Sequence, residues 1–85
     1  MPTISMFYGI IVRMRFADHD PPHVHVRYGD NNAKFDFDGN VLKGSLPPKQ
    51  EKFVKAWIAL HEDELKADWQ MTIDGEQPEK IAPLA

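Results

Sequence analysis

The first half of the chain alternates. In Ile11-Val12-Arg13-Met14-Arg15-Phe16, Val12, Met14 and Phe16 fall on one side and Arg13 and Arg15 on the other. That two-residue period belongs to a strand with one buried face. The run His23-Val24-His25-Val26-Arg27-Tyr28 repeats it, opposing Val24, Val26 and Tyr28 to His23, His25 and Arg27. A third run sets Ala33, Phe35 and Phe37 against Lys34, Asp36 and Asp38. The turn-forming segments Gly29-Asp30-Asn31-Asn32 and Asp38-Gly39-Asn40 follow the second and third runs, and Val41-Leu42-Lys43-Gly44 offers a short fourth strand. The pattern predicts an antiparallel sheet of three to four strands over about residues 7–44.

The period then changes. Ser45-Leu46-Pro47-Pro48 reads as a helix entrance, since proline suits a first helical turn. Beyond it Phe53, Val54, Ala56, Trp57, Ile58, Leu60, Leu65 and Trp69 recur at three- and four-residue spacing. This predicts one long amphipathic C-terminal helix over about residues 48–70, with a short tail at 76–85 that adds an edge strand or lies across the core. The expected fold class is α+β, one domain over residues 1–85, with the helix covering one face of the sheet. His61 sits on or beside the apolar stripe, where a packed histidine holding one hydrogen bond is expected. Trp57 and Trp69 read as core anchors, and Glu62-Asp63-Glu64 as solvated helix surface.

Composition narrows this picture. A chain of 85 residues buries roughly 60% of the surface its unfolded form exposes. It holds no cysteine, which excludes disulfides and thiolate ligands, so any metal site is built from histidine and carboxylate. The net charge of −3 argues against a dedicated nucleic-acid binder, although a local basic face stays compatible with it. No secretory signal and no membrane-spanning run are read in the chain, so a soluble cytoplasmic protein is expected. The sheet's polar face is then the surface to explain: Arg13, Arg15, His23, His25, Arg27, Lys34, Asp36 and Asp38.

The chemistry concentrates in Asp18-His19-Asp20-Pro21-Pro22-His23-Val24-His25-Val26. Pro21 and Pro22 fix two φ angles and remove two amide donors, and either can be cis. His23 and His25, two apart on one strand, project from the same face at about 6.5–7 Å along the backbone. Such a pair can close on a divalent metal such as zinc, with His19, Asp18 or Asp20 supplying a further ligand. Without a metal, the histidines can act as general acid and base near neutral pH, with Arg13, Arg15, Arg27 and Lys34 orienting a phosphodiester. In the plainest alternative the histidines only hydrogen-bond to Asp36, Asp38 or the loop aspartates, and Asp18 and Asp20 cap the turn.

That nonapeptide resembles the small bacterial domain-of-unknown-function family DUF4160. The opening Met1-Pro2-Thr3-Ile4 resembles it too, as do Trp57, Leu60-His61, Glu64-Leu65 and Trp69 of the helix and the closing Lys80-Ile81-Ala82-Pro83-Leu84. Members have no settled activity, so the resemblance carries over no catalytic residues. It implies a small partner of the DUF2442 type encoded by a neighbouring gene. The leading functional expectation is therefore an interaction module of a toxin–antitoxin-like gene pair, its polar sheet face or an edge strand binding the partner. The alternative is an enzyme, a small nuclease or phosphodiesterase centred on His19, His23 and His25, with RNA among its substrates and with or without a metal. A sheet with an open edge also makes a homodimer an expected state.

Overall fold

The computed structural model describes residues 1–85. Five strands form one antiparallel sheet in sequential order: β1 (Thr3–Phe7), β2 (Ile10–Arg13), β3 (His23–Tyr28), β4 (Asn31–Asp36) and β5 (Val41–Gly44). Two helices follow, α1 (Pro48–Leu60) and α2 (Glu62–Ile73). The α+β class expected from the patterning is present, and its details differ.

The sheet has five strands rather than three or four because β1 hides from a period-2 reading. Ile4 and its neighbour Ser5 are both buried, and the register against β2 shifts between Thr3 and Ser5. A bulge of this kind puts adjacent residues on one side and erases the alternation. Tyr8-Gly9 closes the β1–β2 hairpin, and both residues have positive φ (49° and 78°), as a tight hairpin turn with the twist of the strands requires. β2 ends at Arg13 instead of continuing to Phe16. Met14 stays fully buried, its amide donating to the Pro2 carbonyl (3.0 Å).

The expected single helix is divided at His61, whose backbone (φ −121°, ψ 25°) leaves helical values. The hydrogen-bond ladder nevertheless continues: His61 N–H donates to Trp57 O (3.1 Å), and Leu65 N–H donates to His61 O (2.9 Å). The break is a bend in one continuous stripe, with Val54, Trp57 and Ile58 buried before it and Leu65, Asp68, Trp69 and Thr72 after it. Glu62, Asp63 and Glu64 form the first turn of α2, where negative charge meets the positive end of the helix dipole. Bending carries α2 to the end of the sheet where the β2–β3 connection emerges, and the Ala17 amide donates to the Thr72 carbonyl there (3.3 Å).

One cluster of 17 buried apolar residues unites the inner sheet face with both helices. Trp57 is its largest fully buried member, and its indole Nε1–H donates to Ala82 O (2.8 Å). The tail thus lies across the core instead of adding a strand; Ile81 N–H donates to Ile4 O (2.8 Å) and shields part of the β1 edge. No helix is long and apolar enough to cross a membrane.

Candidate metal centre

Three donors converge where the β2–β3 connection meets β3. Antiparallel pairing aligns Arg13, His25, Lys34 and Lys43 across β2 to β5, with His23 opposite Asp36. The connection from Met14 to Pro22 returns over this polar face. Ala17 takes a positive φ of 50°, a conformation that costs an alanine about 1 kcal/mol, and the following Asp18 is buried. The Asp20–Pro21 bond is cis.

Asp18 is the hub. Its Oδ2 lies 3.0 Å from His25 Nε2 and 2.9 Å from His23 Nε2. Its Oδ1 accepts the His19 backbone N–H (3.0 Å). One donor atom each from Asp18, His23 and His25 lie within 4.8 Å of one another. Three ligands on one ion with bonds of about 2.0–2.1 Å sit roughly 3.3 Å apart in a tetrahedral shell, so these side chains need only small adjustments.

The state of the two rings is constrained by their partners. Nδ1–H of His23 donates to the Pro21 carbonyl (2.7 Å), because a carbonyl can only accept. In the neutral ring this leaves Nε2 as a lone pair. That atom is buried and, despite its 2.9 Å approach to Asp18 Oδ2, lacks the alignment of a hydrogen bond. Asp18 Oδ2 thus faces a buried ring nitrogen that has no other partner: a proton there makes the contact an ion pair, and a metal ion can take that proton's place. His25 fills the remaining side, its Nε2–H donating to Asp18 Oδ2.

Electrostatics follow the geometry. Burial alone would raise the Asp18 pKa, but the hydrogen bonds from His25 and the His19 amide, with the nearby His23 and His25 rings, hold it at about 2. Burial lowers the His25 pKa, and the Asp18 hydrogen bond offsets this only in part. The carboxylate is thus ionised and His25 biased toward the neutral ring, which would ligate through Nε2 once the proton it shares with Asp18 moves to Nδ1 or is released.

His19, Asp20, Arg13, Arg15 and Arg27, the other candidates from the sequence, are spread around this centre. His19 is 84% exposed at the rim, with Nδ1 3.3 Å from Asp18 Oδ1, and Asp20 is exposed and makes no contact with the cluster. Arg15 is exposed, Arg13 is half-buried with its Nε lacking a partner, and Arg27 donates from Nε to Gly29 O (2.9 Å). Asp36 is occupied by its own turn, accepting the Asp38 and Asn40 amides, so it does not serve the histidines.

One expectation is corrected. Shared strand parity placed both histidines on a face turned away from the helix-packed core, yet His23 is only 3% exposed and its ring lies 5.4 Å from that of Trp69 on α2. His23 opens its strand at the sheet's end, where α2 and the connection close over it. His61 packs against Trp57 (5.5 Å between ring centroids) and pairs with Glu64 (2.6 Å), as a packed helix histidine should.

Comparison with known proteins places this geometry in a family. The chain matches the model of DUF4160, "Domain of unknown function", over residues 9–70, and it belongs to that family. The matched span contains Asp18, His19, His23 and His25 and all of β2 to β5. No curated protein and no solved structure matches the chain.

Proposed function

We propose that Asp18, His23 and His25 hold a zinc-like divalent ion that activates water for hydrolysis, making the chain a small metal-dependent phosphodiesterase or nuclease. The observation that carries this reading is the buried His23 Nε2, 2.9 Å from Asp18 Oδ2 without a hydrogen bond of its own, while its opposite ring nitrogen is committed to Pro21 O. A cation between these atoms would take the place of a shared proton and bond to both. The hydrogen bond from His23 Nδ1–H to a carbonyl is the outer interaction that orients a ligating imidazole. Two histidines and one carboxylate leave a coordination position for water, and that openness distinguishes a catalytic from a structural site. The ion, held by Asp18, His23 and His25, would supply a polarised water as the nucleophile. Hydrolysis of the ester would form one P–O bond and break the scissile one, with one proton leaving the attacking water and one reaching the departing oxygen. The exposed His19, beside Asp18, is placed to carry these protons.

Metal analysis of the purified protein after dialysis tests the centre. About one equivalent of zinc, manganese or nickel is expected, and none once His23→Ala and His25→Ala are combined. Absence of metal from the wild type, with no thermal shift on adding any of the three, sinks the metal centre. Cleavage of a phosphodiester that persists without metal, follows a bell-shaped pH profile and disappears in either single histidine variant would instead favour metal-free acid–base chemistry.

A second reading rests on a separate observation, the open edge of β5. All four of its residues are exposed, Val41 and Leu42 among them, and the strand pairs only with β4. Such an edge accepts a strand from a partner. The partner expected from the resemblance is a small protein of the DUF2442 type encoded alongside, in a toxin–antitoxin-like pair. Co-expression should then give a complex that co-purifies and that Leu42→Pro disrupts. Failure to co-purify removes this reading and leaves the metal centre untouched.

A further inference from the structure

Beside the metal centre the polar sheet face is concave and basic. A cavity of about 280 Å³ opens there, lined by Arg13, His25, Arg27, Lys34 and Lys43, with Asn32 as a neutral neighbour and no carboxylate on its wall. None of Arg13, Arg27, Lys34 or Lys43 forms an ion pair; of the six salt bridges of the molecule, only that of His25 with Asp18 involves a residue of this pocket. Four of the chain's ten lysines and arginines therefore share one pocket without a counter-charge, in a protein of net charge −3.

Folding alone gives no reason for this arrangement. Register places Lys34 directly opposite Lys43, and His25 between Lys34 and Arg13. Like charges directly opposed on adjacent strands destabilise a sheet. Arg13 adds a buried Nε with no acceptor, so a donor is desolvated without a partner inside the protein. An anion with several oxygens answers both defects at once: it neutralises the row and supplies the missing acceptor. Phosphate suits the mixture, because guanidinium groups bind its oxygens in pairs while lysines add point charge. The backbone of the wall is held close. Gly44 has a φ of 75°, and a Cβ there would stand 2.1 Å from Asn32 O, so no side chain can enter at that point.

We infer that this pocket binds the phosphate of a small phosphorylated molecule about the size of a mononucleotide. Its volume lies near the lower end of the ~300–1,000 Å³ usual for small-molecule sites. No Phe, Tyr or Trp ring lines it on which successive bases of a strand could stack. His25 belongs both to the pocket and to the donor cluster, so a phosphate seated on Lys34 and Lys43 would lie next to the group formed by Asp18 and His23. As the substrate class of the hydrolytic centre, this assignment rests on the metal-site reading; as a binding site, it does not.

The test is calorimetric titration of metal-stripped protein with inorganic phosphate and with a 5′-mononucleotide. Saturable binding with a dissociation constant tighter than about 1 mM is expected, weakening as salt is added. Lys34→Glu combined with Lys43→Glu should weaken it at least tenfold, while Lys52→Glu with Lys66→Glu, on the helices, should leave it within twofold. NMR shift changes centred on Arg13, Lys34 and Lys43 provide a second readout should the reversed pair be poorly folded. Absence of saturable binding by either probe overturns the inference, as does equal loss in both charge-reversed proteins. Affinity that rises steadily with the length of a single-stranded oligonucleotide overturns the small-ligand assignment in favour of a nucleic-acid groove. Phosphate binding in a protein that takes up no metal upholds the pocket and removes only the metal centre, whereas metal uptake without phosphate binding does the reverse.

Discussion

Asp18 and Asp68 are both buried aspartates, and their surroundings drive them in opposite directions. Burial raises the pKa of each, but around Asp18 the His25 ring and the His19 amide supply hydrogen bonds, the His23 and His25 rings add a favourable charge interaction, and the group falls to about 2. Asp68 accepts one bond, from the Glu79 amide to Oδ1 (3.0 Å), leaves Oδ2 buried without a partner, and feels the charges of Glu79 and Glu64. Its pKa rises, from burial first, with both glutamates adding to the effect. Burial of a carboxylate is therefore no sign of a site; convergence of nitrogen donors on it is. One aspartate is held ionised among nitrogen donors, and the other is a buried, incompletely hydrogen-bonded group in the α2–tail contact.

Substitutions at the two positions should separate them most clearly in metal binding. Asp18→Asn is expected to weaken zinc affinity at least about 100-fold, close to 3 kcal/mol, by calorimetric titration, while Asp68→Asn leaves it unchanged. Equal affinities in the two variants would break the distinction.

A smaller effect is expected on stability. In the metal-free protein Asp18→Asn should cost on the order of 2 kcal/mol at pH 7, read by urea unfolding. The folded pKa lies below the ordinary 3.8, so the carboxylate's contribution is fully present above pH 3.8 and lost as pH falls through about 2. A cost that stays constant down to pH 2 would show that shape, and not charge, sets the role of Asp18.

Asp68→Asn should act with the opposite sign, stabilising the protein by on the order of 1 kcal/mol at pH 7. Here the folded pKa is raised, so the native state is favoured below pH 3.8 and loses that advantage as pH rises through the folded value. The gain from asparagine is then confined to the higher pH range: the unfolding curves of variant and wild type should separate at pH 7 and converge at pH 3.

The smallest effect belongs to the helix pair. Glu64→Gln removes the charge from the 2.6 Å contact with His61, yet Glu64 is about half exposed. A change under about 0.5 kcal/mol in thermal unfolding is expected. A larger loss would mean that this pair, and not the wrapping of α2 around the sheet's end, holds the bend at His61.

The parts of the fold that were legible were those governed by side-chain period. Strands β2, β3 and β4, the common parity of His23, His25 and Arg27, and the buried stripe through Val54, Trp57, Leu65 and Trp69 all follow from alternation or helical spacing. β1 escaped because its bulge places Ile4 and Ser5 inward together. The division at His61 escaped because the apolar stripe runs through it unbroken; Glu62-Asp63-Glu64 was the available sign of a helix start. Lys43 was visible as a strand residue, but its place beside Lys34 depends on the β4–β5 register, which shifts between Lys34 and Phe35.

By itself the sequence determined that two histidines share one strand face and that a stiff, aspartate-bearing loop precedes them, because a two-residue period and proline's fixed φ are local properties. It did not determine which acidic group meets those histidines. Asp18 and Asp20 flank His19 and are chemically alike, and the choice rests on the path of residues 14–22 over the sheet: the positive φ at Ala17, the Ala17–Thr72 hydrogen bond and the packing of Trp69 against His23. Those are contacts between parts of the chain far apart in sequence. Only the closed tertiary structure could put one aspartate inside and leave the other in water.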